Sequence, residues 1–189
     1  MTESANIRDG RAVSIRAAVL ADTPALEALI EASIRALGGR YYSEAEISSS
    51  MQYVFGVDTT MITDGTYIVV EHSQQIIGAG GWSDRKTPFG GDQATPVRDA
   101  DFRQPGIDPA VIRAMFVHPD WARQGVGGLI LRTCEKRAME AGFSDLELVA
   151  TLSGVAFYEC MGYRKTETIH YRMGDGSLID FVRMEKPAS

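Results

Sequence analysis

The sequence predicts one α/β domain, built on a mixed, mostly antiparallel sheet with helices on both faces. Two observations predict it. Thr66–Glu71 and Gln75–Trp82 are apolar runs joined by a short polar turn, and Arg164–Met173 and Leu178–Lys186 flank a Gly-Asp-Gly turn; both are hairpin signals. Ala110–Pro119 and Asp145–Thr151 are strand candidates separated by a helical stretch. That spacing suits a right-handed crossover, so this pair should be parallel.

The elements follow in order. Residues 1–12 contain no apolar core and no signal peptide, and are expected to be a flexible tail. Residues 13–187 form the domain, opening with a strand over Val13–Val19. Asp22-Thr23-Pro24 starts a helix, with a capping residue and Pro near its first position. Leu26, Leu29, Ile30, Ile34 and Leu37 recur at helical spacing until Gly38-Gly39 stops it. Ser43 and Glu46 make a capping box for a second helix carrying Ile47, Met51, Val54 and Phe55. After the first hairpin, residues 83–109 are rich in glycine, proline and charge, and are expected to be a long loop over the site. The strand Ala110–Pro119 leads to a helix that ends near Ala141 and presents Gly127, Leu131, Cys134, Ala138 and Ala141 on one face. The strand at Asp145–Thr151, a short helix within Gly154–Tyr163 and the second hairpin complete the chain.

Composition narrows the function. A chain of 189 residues suits a single domain. A formal net charge of −6 argues against nucleic acid as a partner, which calls for clustered Lys and Arg. No stretch approaches the roughly 18 apolar residues of a membrane span, so no membrane is expected, and the lack of a targeting segment favours a cytoplasmic location. Cys134 and Cys160 are far apart and form no CxxC, so both are expected to be reduced and mostly buried, with no metal.

The segment from His118 to Gly128, HPDWARQGVGG, places three glycines at the start of a helix. Helix N-terminal amides are unpaired and carry partial positive charge, which suits a phosphate. Glycine lets a ligand approach the main chain. A P-loop needs GxxxxGK[ST], and none is present. A dinucleotide fingerprint needs GxGxxG, but Ile130 stands where the third glycine belongs, and Glu147, about 20 positions on, lies inside the next strand rather than at its end. On spacing alone a purely structural turn is an equal alternative.

Two stretches resemble the GCN5-related N-acetyltransferase (GNAT) superfamily. Ile112–Leu131, IRAMFVHPDWARQGVGGLIL, is similar to the family's strand, phosphate loop and helix. Leu148–Tyr163, LVATLSGVAFYECMGY, is similar to its later strand, short helix and closing glycine-aromatic pair. The resemblance implies a splayed parallel strand pair and acetyl transfer from acetyl-CoA to an amine, of a small molecule or a peptide, in a ternary complex. It places the pyrophosphate on the amides of Arg123, Gln124, Gly125, Val126, Gly127 and Gly128. The pantetheine arm would lie along the main chain of Met115, Phe116 and Val117 like an added strand. One departure stands out: the family's loop commonly begins with Gln or Arg, where this chain has Ala122 and carries Arg123 one place later.

The resemblance also assigns chemistry. Tyr158 takes the position of the general acid that protonates the departing CoA thiolate, against the plainer role of a core aromatic. Ser153 takes a position where related sequences often have an Asn that touches the CoA arm, and could instead cap the short helix. Some family members use a strand carboxylate as base, which makes Glu147 the first candidate, before His118 with its near-neutral imidazole, then Glu71 and Asp84. Arg113 faces either the substrate cleft or water, and Trp82 is a candidate substrate wall. A non-catalytic acyl-CoA sensor is the alternative function, and a homodimer is compatible with the sequence.

Overall fold

The chain opens with β1 (Glu3–Asn6), β2 (Ala12–Ala17), α1 (Thr23–Gly38), α2 (Glu44–Tyr53) and α3 (Thr59–Thr63). β3 (Tyr67–His72), β4 (Gln75–Ser83), β5 (Ala110–Val117), α4 (Val126–Glu140) and β6 (Leu146–Thr151) follow, and α5 (Val155–Cys160), β7 (Arg164–Arg172) and β8 (Leu178–Lys186) close it. The structure is a computed structural model that describes residues 2–8, 10–94 and 101–187; part of the long loop expected at 83–109 therefore lies outside the described residues.

The strands make one eight-stranded sheet in the order β1-β2-β3-β4-β5-β6-β8-β7. Every neighbouring pair is antiparallel except β5 with β6. The β3–β4 hairpin turns at Ser73 and Gln74, both at positive φ, the geometry a two-residue hairpin turn demands. Ser43 Oγ accepts from the Glu46 amide while Glu46 Oε2 accepts from the Ser43 amide at 2.7 Å, so the capping box forms as expected.

Two elements depart from the sequence-based expectation. Residues 3–6 are paired rather than frayed: Glu3 to Asn6 lie opposite Ile15 to Ala12. The stretch is too polar and too short to show alternation, so it carried no strand signal. α3 is also additional; Asp58 caps it by accepting from the Met61 amide. Of the two cysteines, Cys134 is buried, but Cys160 is exposed at the end of α5, where the helix turns its polar side outward. No described helix is long and apolar enough to cross a membrane.

Alternation in the strands divides the core in two. One cluster joins α4 and α5 to the sheet through Ile68, Ile77, Ile112, Ile130, Leu131, Leu146, Leu148 and Ala150. The other joins α1 and α2 to the opposite face through Leu26, Ile30, Tyr67, Val69, Phe116 and Phe181. Glycine brings α4 close to β4: a Cβ on Gly78 would stand 2.8 Å from both Ile130 Cδ1 and Val126 Cγ1. Truncating Ile130, fully buried at this contact, to Ala should cost about 2–5 kcal/mol by urea denaturation.

Buried phenols give the fold a pH dependence. Burial, ahead of all other causes, pushes Tyr42 up to about 12 and lifts Tyr67 further. The native state keeps protons that the unfolded chain releases above about 10, so stability is full below that pH and falls as pH rises. Urea midpoints should hold steady from pH 7 to 9 and drop above pH 10; an unchanged midpoint at pH 11 would contradict the burial of these phenols.

Candidate active site

The parallel ladder between β5 and β6 is short. It joins Ala110 to Leu146, Val111 to Glu147 and Ile112 to Leu148, and ends there. Beyond it Arg113–Val117 pair outward with β4, and Val149–Thr151 pair outward with β8. A cleft opens in the middle of the sheet, bordered by main chain on both sides.

A bulge sits where the cleft begins. Phe116 pairs with Ala79 and Arg113 with Gly81, so Ala114 and Met115 together oppose the single residue Gly80. Ala114 adopts φ +54°, sparsely populated for a residue with a Cβ, and its carbonyl accepts from the Tyr67 hydroxyl at 3.3 Å. The extra residue changes which way the strand faces. Arg113 and Ala114 both lie toward α1 and α2, after which Met115 and Val117 pack with the α4 core and Phe116 with the α1 core.

This answers where Arg113 points. It is buried, with its guanidinium 2.7 Å from the Asp58 carboxylate, the two side chains 3% and 1% exposed. It also donates to the carbonyls of Thr87 and Gly90 in the long loop. Glu147 anchors the same loop from β6. Its Oε1 meets Arg103 at 2.6 Å and its Oε2 meets Arg183 at 3.5 Å. Glu147 thus lies in the paired part of β6, before the cleft opens, with each oxygen facing a guanidinium.

The glycine loop stands at the cleft's end. Gly125 has φ +96° and precedes the first turn of α4. Arg123, two residues earlier, has φ +61°. Gly127 faces Phe157 and Val117; a Cβ there would make ordinary contact, 3.5 Å from Phe157 Cζ and 3.7 Å from Val117 Cγ2. Gly127 and Gly128 contribute no side chains of their own at the first turn of α4; the side chain nearest Gly128 is that of Arg132, one turn on. The structure therefore brings Met115, Phe116, Val117, Arg123, Gln124, Gly125, Val126, Gly127 and Gly128 to one edge of the cleft.

Tyr158 lies on α5, with its ring against Phe157 and Tyr163 at 5.0 and 5.8 Å between centroids. Burial raises its phenol well above the ordinary value, with the nearby Cys134 adding to the effect. No hydrogen bond of its hydroxyl is formed among the described residues. Ser153 is not the side-chain cap of α5; Gly154 holds that position, and Ser153 Oγ pairs with Thr151 Oγ1 at 3.0 Å where β6 ends. His118 ends β5 and accepts from the Asp120 amide. Glu71 is bound to Arg16 at 2.6 Å. Trp82 packs against Phe143 on the α4 face, 5.9 Å between ring centroids, a core position rather than a cleft wall.

Other residues at the cleft carried no sequence signal. Ser33 on α1 accepts from the Val117 amide at 3.4 Å. Tyr42 Oη accepts from the Leu152 amide and donates to the Asp180 carbonyl, both at 2.8 Å, tying the end of β6 to β8. Phe55 stands edge-on to Phe116 at 6.3 Å and to Phe181 at 6.1 Å, spanning the cleft from β5 to β8. Each of these contacts joins residues far apart in sequence.

The profile of the acetyltransferase (GNAT) domain family matches residues 63–165. Solved structures of the same fold include a GCN5-related N-acetyltransferase from Rhodopseudomonas palustris, with TM-score 0.69, 17% identity and 98% of each chain covered. The PaiA N-acetyltransferase from Thermoplasma acidophilum, solved with coenzyme A, aligns with TM-score 0.61 and 15% identity over 93% of this chain and 98% of that one. The ribosomal-protein-S18-alanine N-acetyltransferase from Escherichia coli aligns with TM-score 0.56 and 17% identity over 94% of both. Among curated proteins, none matches.

The Arg113–Asp58 pair makes a direct prediction. Replacing Asp58 with Asn leaves a buried guanidinium uncompensated and should cost about 3–5 kcal/mol by urea denaturation. The double variant Asp58→Leu, Arg113→Met should recover much of that stability while releasing the loop carbonyls, seen as faster proteolysis within residues 86–108.

Proposed function

Because this chain belongs to the GNAT acetyltransferase family, we propose that it transfers an acetyl group from acetyl-CoA to an amine by direct attack in a ternary complex. The observation that carries the proposal is the cleft that opens after Ile112 and Leu148, with a glycine-rich helix N-terminus at its end. Both are features an extended, phosphate-bearing thioester requires. The amides of Arg123–Gly128 supply hydrogen bonds and a favourable dipole to the pyrophosphate. The border of the cleft at Met115–Val117 offers main-chain partners to the two amides of the pantetheine arm. Ser153, beside Thr151 where β6 ends, would contact that arm from the opposite border.

Amides along the bulged stretch of β5 would also stabilise the oxygen of the thioester as negative charge develops on it. The amine nitrogen attacks the acetyl carbon, the carbon–sulfur bond breaks, and the thiolate leaves. Tyr158 supplies the proton. A phenol is protonated at neutral pH without any shift, so Tyr158 can donate; the burial that raises its pKa makes it a weaker acid, not a stronger one. Glu147 is a poor base, because both its oxygens are already engaged with Arg103 and Arg183, so the proton lost by the attacking nitrogen would pass to solvent water. A small molecule or a peptide would be the acceptor, met on the α1–α2 side of the cleft where Phe55, Phe116 and Phe181 gather.

Calorimetry and steady-state rates test this together. Tyr158→Phe should bind acetyl-CoA as the parent does and lower kcat by about two to four orders of magnitude. Normal turnover would remove Tyr158 as the acid. A chain that binds acetyl-CoA but acetylates no amine in a broad panel would point to a non-catalytic acyl-CoA sensor.

A further inference from the structure

The N-terminal hairpin reaches the glycine loop. Ile7, buried in the α4 core, holds its turn down, and the Arg8 amide donates to the Gln124 carbonyl at 3.2 Å. Arg8 Cγ lies 3.5 Å from where a Cβ on Gly125 would stand. Arg11 braces the same contact: it donates to Gln124 Oε1 and stacks over Trp121, 4.2 Å from the ring centroid. From the other flank Arg132, one turn along α4, folds back until its Nη1 is 3.1 Å from the Cβ position of Gly128.

In a chain of net charge −6, Arg16, Arg35, Arg85, Arg103 and Arg113 are all engaged with carboxylates. The guanidiniums of Arg8, Arg123 and Arg132 form no ion pair among the described residues, and all three surround one loop. Arg40, Arg164 and Arg172 also form no ion pair among the described residues, so position at the glycine loop is what distinguishes the other three. The amides of the loop match the pyrophosphate, but coenzyme A carries a further phosphate on its ribose, which those amides do not serve.

We propose that Arg8 and Arg132 grip the 3′-phosphate of coenzyme A from the two flanks of the glycine loop, making the N-terminal hairpin part of the cofactor site. The inference rests on the acetyl-CoA reading above. It assigns a role to a segment that the sequence presents as a tail. It also supplies side-chain cations to a loop whose first position is Ala122, without the cationic or amide side chain usual there.

Titration calorimetry with acetyl-CoA and acetyl-dephospho-CoA tests it, on the full chain and on Arg8→Ala and Arg132→Ala, with circular dichroism as a check on folding. The parent should bind acetyl-CoA about tenfold or more tighter than the dephospho form, the size of one charge-assisted contact. Each variant should bring that ratio toward one while leaving affinity for the dephospho form unchanged. A parent ratio near one, or a ratio that survives both substitutions, overturns the proposal. Equal loss for both ligands overturns it too, since the arginines would then act on the pyrophosphate. Failure of the parent to bind acetyl-CoA at all would instead overturn the acetyltransferase reading itself.

Discussion

One buried guanidinium organises the half of the molecule that faces α1 and α2. Arg113 stands on a central strand among apolar neighbours, where an unpaired charge would be prohibitive. Its neutralisation by Asp58 draws α3 against the sheet, and its Nη1 and Nη2 hold the carbonyls of Thr87 and Gly90. Glu147 does the reciprocal work from β6, fixing Arg103 at the far end of the same loop. A central strand pair thus carries one cation and one anion, each directed into a connection of more than twenty residues. Buried pairs of this kind add little net stability against an apolar replacement, but they specify one arrangement where hydrophobic contact would accept several.

The second constraint is the parting of β5 and β6. A sheet with a gap in its middle loses ladder hydrogen bonds, and its two halves must be held by something else. Here the α4 core closes one face while Tyr42 and Phe55 span the other. The bulge at Ala114 is the local device that turns β5 along the edge of the gap. Its αL backbone is secured by the Tyr67 hydroxyl, so the strain is offset within the core rather than left at the ligand's position. The main chain bordering the gap is therefore braced from both faces of the sheet.

Much of this was legible in the sequence because it is local. The capping box at Ser43 and Glu46, the β3–β4 turn, the glycine stop at Gly38-Gly39 and the loop before α4 all arise from residues within a few positions of one another. The crossover from β5 to β6 followed from length. What escaped the sequence is non-local or too short to be periodic. Asp58 and Arg113 are 55 positions apart, and nothing in either neighbourhood names the other; the one available hint was a charged residue inside the apolar run AVIRAMFV. The polar stretch Glu3–Asn6 shows no alternation, and becomes a strand only because β2 offers an edge. The position of Glu147 depended on where the parallel ladder stops, a quantity set by packing around the gap. The glycine loop stands between these cases: its turn was readable, but the arginines that surround it come from two other segments.

The way Arg113 holds the long loop bears on how such a chain diversifies. Its partners there are carbonyl oxygens, and a carbonyl is present whatever side chain the residue carries. Replacements at Thr87 or Gly90 that tolerate the local backbone leave the attachment in place. The loop can therefore exchange its side chains over generations while its attachment at Thr87 and Gly90 is inherited, so that new surfaces arise on a support that does not have to be reinvented.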